Sequence, residues 1–188
     1  MKLYEASLSS VTPYAQGRNH NTPRLSRELH EAYEERTCLF QLHVAVDQIY
    51  IPPMAFKQCL VETARYLKLQ IPGKGKETYT KNFNQGVLCN EPVMLGLTPA
   101  QVRIEKVFTW SQPTTKRGGR VWKHFPVIDT WRGILQLWVI DDVITFEVLH
   151  KHLELAGMIT GIGVWRPING GMWGKFTVET LVEKEAAL

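Results

Sequence analysis

Six of the fourteen glycines fall between Gly157 and Gly174, in the run GMITGIGVWRPINGGMWG. The run follows an amphipathic helical pattern and precedes an apolar, β-branched one, so it reads as a glycine loop set between a helix and a strand of a packed domain. Glycine takes positive φ and lets backbone approach a neighbour without steric cost. Trp165, Arg166, Trp173 and Lys175 share the loop. Flat rings and cations on such backbone suit a polyanion with faces to stack on, which describes single-stranded nucleic acid. Gly161-x-Gly163 matches half of a dinucleotide fingerprint, but a strand rather than a helix follows, which excludes the Rossmann reading. The conformational alternative is that Gly161 and Gly163 mark a bulge and Gly170-Gly171 a hairpin turn.

Around this loop the patterns give an ordered series of elements. Residues 2–11 alternate loosely and read as a first strand. Residues 12–38 read as a polar loop, TPYAQGRNHNTPR, followed by a solvent-facing helix over 25–36. Leu39 to Ile51 alternates and predicts a core strand, ended by Pro52-Pro53. Pro53 suits the first turn of a helix, on which Phe56, Leu60, Ala64 and Leu67 share a face. Strands are expected over 87–97, 102–110, 121–128 and 134–140, with TTKRGGR as a hairpin tip. Asp141-Asp142 signals a helix from near Thr145 with Phe146, Leu149, Leu153 and Ala156 buried, ended by Gly157 as a left-handed cap. A strand over 175–182 closes the series. The order β–α–β–β then β–β–α–β predicts an α+β fold, a ferredoxin-like antiparallel sheet with helices on one face, in one domain over 1–188.

At 188 residues, 44% hydrophobic and 21% charged, the chain can bury a substantial core. No run reaches the eighteen or so apolar residues of a membrane span, and MKLYEASLSS lacks the apolar centre of a signal peptide. A cytoplasmic location is expected, with no membrane partner. Cys38, Cys59 and Cys89 are not spaced for a metal and read as reduced, buried thiols. No metal or cofactor is expected.

The net charge is +4 and the isoelectric point near 9.0, but distribution says more. Lys116, Arg117, Arg120 and Lys123 stand between residues 112 and 124 without an acid, interleaved with Trp122, His124 and Phe125. That mixture joins phosphate contacts to stacking platforms; a stacked base is worth ~1–3 kcal/mol. Residues 71–81 carry Lys74, Lys76 and Lys81 against Glu77 on what reads as a mobile loop. The P-loop pattern GxxxxGK[ST] is absent there, since Glu77 follows Lys76. For each basic segment the alternative is a solvated face, and for Trp122 an inward-pointing strand residue. His20 and His124 are of the type that serves as acid and base in RNA cleavage. His30, His150 and His152 read as helix-surface residues.

Two resemblances bear on function. The stretches TPYAQGR, IPPMAFKQCL, IPGKGKETYTKNFNQGV, RVWKHFP and GIGVWRPINGGMWGKFTV resemble a family of uncharacterised tailed-phage and prophage proteins, a likeness that brings no activity with it. The glycine loop is similar to that of the repeat-associated RNA-binding superfamily of CRISPR systems, with Gly161, Gly163 and Gly174 fitting its pattern. That resemblance implies a ferredoxin-like fold and RNA held by glycine loops; a catalytic histidine placed as in that family cannot be located.

The leading expectation is a phage-derived protein, in the host cytoplasm, that grips single-stranded RNA or DNA and can form homo-oligomers along the strand. Lys74, Lys76, Lys81, Arg117, Arg120, Lys123 and Arg166 would meet phosphates, Trp122, Trp165 and Trp173 would stack on bases, and Gly161 and Gly163 would admit backbone contact. The alternatives are a metal-independent ribonuclease using His20 or His124, and an assembly or host-defence-interaction protein. The deciding question is whether the basic loops converge.

Overall fold

The computed structural model describes residues 1–112 and 117–185, and only the backbone of Ser111, Gln112 and Arg117. In chain order the elements are β1 (Lys2–Ser10), β2 (Tyr14–Ala15), α1 (His30–Thr37), β3 (Val44–Ala45), β4 (Gln48–Ile51), α2 (Pro53–Leu67), α3 (Thr80–Gly86), β5 (Val87–Leu88), β6 (Val93–Met94), β7 (Arg103–Gln112), β8 (Arg117–Ile128), β9 (Arg132–Val139), α4 (Phe146–Leu155) and β10 (Phe176–Lys184).

Alternation along β1 buries Tyr4, Ala6 and Leu8 while Leu3, Glu5, Ser7 and Ser9 are less covered. β9 repeats the pattern with Leu135, Leu137 and Val139 buried. Period-two patterning of this kind makes a sheet with one packed face. The sheet runs β10-β1-β9-β5 and every neighbouring pair is antiparallel. Numbered along the βαββαβ frame β1–α2–β5–β9–α4–β10, that order is 4-1-3-2, the ferredoxin-like arrangement.

α2 and α4 lie together on the packed face. Pro53 occupies the first turn of α2, where a missing N–H costs nothing, and the helix buries Phe56, Cys59, Leu60 and Ala64. Phe56 meets Trp131 and Phe176, while Tyr4 on β1 meets Phe146 on α4. The Thr145 side chain caps α4 by accepting from the Val148 N–H. Two insertions elaborate the frame. One, between β1 and α2, holds β2, α1, β3 and β4; the other, between β5 and β9, holds β6, β7 and β8. They build two small sheets, β2-β8-β7 and β3-β4-β6.

Three local expectations are corrected. Residues 39–51 form no single strand: a 3₁₀ turn (Cys38–Gln41) leads to a tight hairpin whose tip, Val46-Asp47, has both residues in the left-handed region, and Val46 is 97% exposed. Leu42, Val44 and Val46 alternate in one phase and Ile49 and Ile51 in the other, and that one-residue slip is the trace the turn leaves in the pattern. The 87–97 stretch splits into β5 and β6, which join different sheets. Gly157 does not end α4: the helix widens into a π turn over Ala156–Thr160, and the residue that caps it is Gly161, at positive φ with an extended ψ. The π turn seats against α2, where the Thr63 and Thr160 hydroxyls are 2.5 Å apart and Cys59 Sγ donates to the Ala156 carbonyl.

A candidate nucleic-acid interface on the β7–β8 hairpin

The register of β7 and β8 decides what the hairpin displays. Lys106 faces His124, Phe108 faces Trp122 and Trp110 faces Arg120. Because side chains alternate along a strand, these six share one face and Val107, Thr109, Lys123, Phe125 and Val127 the other. The second face is packed: Phe125 and Val127 cluster with Ala15, Val107, Val164 and Trp173.

The first face is open over much of its length. Phe108 is 49% exposed and Trp122 42%, their rings 5.0 Å apart between centroids. The Lys106 ammonium sits 4.7 Å from the Trp122 ring and the Arg120 guanidinium 5.3 Å from the Trp110 ring. Cations over ring faces and cross-strand aromatic pairs each add a fraction of a kcal/mol or more, so this surface is ordered before any ligand arrives. Towards the base of the hairpin α1 closes over it: Glu31 pairs with Lys106, and His124 is buried beneath. The Lys106 hydrogen bond lowers the Glu31 carboxyl from its ordinary value. Phe108, Trp110 and Lys106 escaped the sequence reading. The alternation of RIEKVFTWSQ against RVWKHFP carried the signal, but only the pairing register brings the two runs onto one face.

The glycine loop meets the packed side of the hairpin. Trp165 and Trp173 stand 6.3 and 6.1 Å from Phe125 and 6.2 Å from each other. Backbone bonds tie the loop down: the Val164 N–H donates to the Ala15 carbonyl at 3.0 Å, Gly174 to Pro13 at 2.7 Å, and Trp173 to Trp165 at 3.0 Å. Gly163 has φ +78°, and a β-carbon there would lie 2.3 Å from the Ala15 oxygen and 2.5 Å from the Tyr14 ring. The close approach it permits is thus to this chain's own β2. Gly161, also at positive φ, is buried. Trp165, though not glycine, takes φ +57°, a conformation bulky residues hold only when their surroundings force it.

Arg166 forms a two-pronged ion pair with Glu62 on α2, at 2.8 and 3.1 Å, which gives it a partner within the fold. The remaining candidates separate. Arg120 and Trp122 belong to the open face, and Lys123 to the opposite one. The Arg117 side chain and all of Lys116 lie outside the described residues. Lys74, Lys76 and Lys81 are exposed elsewhere, on a segment that packs with α2, α3 and α4. That segment is not the free loop expected: Ile71 and Tyr79 anchor it in the core, and Ile71 N–H donates to the Glu77 carbonyl. Two of the three basic segments therefore converge, around Phe125, and the third stands apart.

His20 lies against Tyr33 and Phe40 with Nδ1 3.1 Å from the Thr22 hydroxyl, and among the described residues no contact joins it to His124. His152, expected on a helix surface, is 1% exposed and packs 4.4 Å from Phe83. It falls three residues after Leu149, on the apolar stripe, which the sequence already displayed. Burial holds its imidazole below the ordinary histidine range. Cys38 and Cys59 are buried and Cys89 partly so; burial pushes the Cys38 and Cys89 thiols up to about 12. Among the described residues no cluster of three His, Cys, Asp or Glu side chains is placed to hold a metal, and no helix is long and apolar enough to cross a membrane.

At the level of sequence, no protein-family model and no curated protein matches the chain. At the level of fold it resembles known structures over nearly all its length. Over 99% of the chain it is similar to a chain of the type III-B Cmr-beta complex bound to cognate target RNA, with a TM-score of 0.56 and 9% identity. It spans 61% of that longer chain. Over 95% of its length it is similar to Cmr6 from Pyrococcus furiosus, covering 98% of that protein with a TM-score of 0.53 and 11% identity. At such identities the likeness is one of fold.

Proposed function

We propose that this chain is a single-stranded RNA-binding subunit that holds its strand across the open face of the β7–β8 hairpin. One observation carries the reading: two exposed aromatic rings, Phe108 and Trp122, pack at a tilt across strands beside Lys106, Arg120 and Trp110. Rings offer faces to bases of any sequence and cations neutralise the backbone, so grip without sequence choice is the expected behaviour. The fold shared with chains of Cmr assemblies, one of them bound to target RNA, supports a subunit role within a multi-subunit particle. The phage resemblance supports a phage-derived version of that fold.

Gly161, Gly163, Trp165 and Trp173 act here as the buttress that fixes the hairpin from behind, with the exposed edge of Trp165 as a further stacking surface. Arg117 and Lys123 add charge to the same hairpin. The test is fluorescence anisotropy of labelled single-stranded RNA and DNA against salt, comparing the native protein with Phe108→Ala/Trp122→Ala. Both side chains are half in solvent, so the double variant should fold. Losing one or two stacked bases should weaken RNA binding roughly 5- to 150-fold per base, with little change in the salt slope. Unchanged affinity in the folded variant overturns the proposal, and tighter binding of DNA than RNA overturns the choice of strand.

A further inference from the structure

A cleft of about 790 Å³ opens between the C-terminal half of α2, the 71–79 segment and α3. Arg65, Lys74 and Lys81 line it, with Glu77, Asn82 and Asp141. Its size falls within the usual range for small-molecule sites, but its walls are polar and carry no aromatic ring, which argues against an apolar ligand.

Several cations of this protein are held in ion pairs: Arg36 with Glu28, Arg103 with Asp129, Lys106 with Glu31 and Arg166 with Glu62. Among the described residues the side chains of Arg65, Lys74 and Lys81 have no hydrogen bond or ion pair, although all three border one cavity. Nor is Lys74 on loose backbone. Its own N–H donates to the Ile71 carbonyl, the Glu77 N–H returns to the Lys74 carbonyl, and buried Ile71 and Tyr79 pin both ends of the segment. On the other rim Asp141 accepts from Asn82 at 2.7 Å and from the Val143 N–H at 3.0 Å. The Asn82 hydrogen bond, ahead of the Val143 N–H and the field of Lys74, holds its carboxyl below the ordinary range.

We propose that this cleft is a phosphate-ester site, in which Arg65, Lys74 and Lys81 take the phosphate and the carboxylates of Asp141 and Glu77 accept from hydroxyl groups of the ligand's sugar. Three cations that border one cavity and are held in no hydrogen bond or ion pair match a dianion, and the acceptors beside them match a polyol. Two sources present this chemistry, a free mononucleotide and the 5′-phosphorylated end of an RNA strand. The site is separate from the hairpin face and does not depend on that reading.

The test uses the full chain. Calorimetry compares uridine 5′-monophosphate, uridine and inorganic phosphate, and anisotropy compares RNA of one sequence with and without a 5′-phosphate. The monophosphate should bind and uridine should not. If strand ends are the source, the 5′-phosphate tightens RNA binding roughly tenfold or more, as charge-assisted hydrogen bonds do, and phosphorylated RNA displaces the monophosphate. If free nucleotide is the source, the monophosphate binds without that displacement. In either case Lys74→Ala/Lys81→Ala, a change of two exposed side chains checked by its melting temperature, removes the phosphate-dependent component, and Phe108→Ala/Trp122→Ala retains it. Equal silence of all three small ligands together with no effect of the 5′-phosphate overturns the site. So does a lysine variant that weakens both RNAs by the same factor, since that is a diffuse charge effect.

Discussion

Gly163 and Gly170 form a matched pair that separates two uses of glycine in one loop. Their φ values are +78° and +79°, so alanine meets the same backbone penalty at each, about 1–2 kcal/mol. Their surroundings differ. Around Gly170 a β-carbon meets nothing within 4 Å, whereas at Gly163 it would stand 2.3 Å from the Ala15 oxygen and 2.5 Å from the buried Tyr14 ring. Relief requires β2 to move away, which breaks the Val164–Ala15 hydrogen bond and repacks Tyr14. A buried hydrogen bond broken this way costs ~1–3 kcal/mol and an overpacked ring a further ~1–3. Gly170→Ala should therefore cost about 1–2 kcal/mol and Gly163→Ala roughly 3–8 kcal/mol. For a chain of this length that is about 2–8 °C in melting temperature against roughly 6–32 °C, read by thermal denaturation followed by tryptophan fluorescence. Equal losses would refute the packing argument. A Gly163→Ala protein that melts normally yet fails to bind RNA would refute it more pointedly, because the glycine would then serve a ligand.

Other expectations follow from single contacts. His152 resists protonation in the fold, so below about pH 6.5 the unfolded chain takes up a proton that the native one refuses; stability present above that pH is lost as pH falls, by up to about 1.4 kcal/mol per pH unit. Burial, and after it Arg18, lowers His43 in the same direction. Urea midpoints at pH 7.5 and 5.5 check this: they should differ, and His152→Leu should flatten the difference. The Lys57 ammonium donates to the carbonyls of Phe83, Asn84 and Val87, tying α2 to the end of α3. Lys57→Met should cost ~1.5–3 kcal/mol of stability in urea titration without touching RNA affinity. Arg166→Met leaves Glu62 without its cation and should lower the melting temperature, with Glu62→Gln recovering part of the loss; a variant of normal stability and weakened RNA binding would instead make Arg166 a phosphate contact.

The βαββαβ frame was legible because its cues are local and mutually consistent. Pro53 at a helix start and the stripe Leu149, Leu153, Ala156 each indicate one element and agree with their neighbours, whereas the cap of α4 is Thr145 and not the Asp141-Asp142 pair that signalled it. The two insertions were harder. Val46-Asp47 turns the chain without the glycine or asparagine that would announce a left-handed pair, so a hairpin looks like one strand. The candidate interface was half legible: Arg120 and Trp122 declare themselves as a cation beside a ring, whereas Phe108 and Trp110 become surface residues only through a register set between distant strands. The glycine loop misled in the opposite way. Its composition matches that of a ligand loop, but the carbonyl of Ala15, far earlier in the chain, and the Tyr14 ring beside it explain why Gly163 has no side chain.

The position of β1 has a consequence for how the chain is made. β1 is an inner strand of the sheet, bonded on one side to β9 and on the other to β10, with Leu3 opposite Trp138 and Lys184. During synthesis its two hydrogen-bonding edges have no partner until β9, more than 120 residues further on, and the second edge waits some 40 residues more, for β10. Closing such long loops is slow, and unpaired apolar edges invite association with other chains in the interval. The sheet therefore closes only after β10 has been made, and a circular permutant beginning at β9, which brings β9, β10 and β1 closer together in sequence, should refold faster.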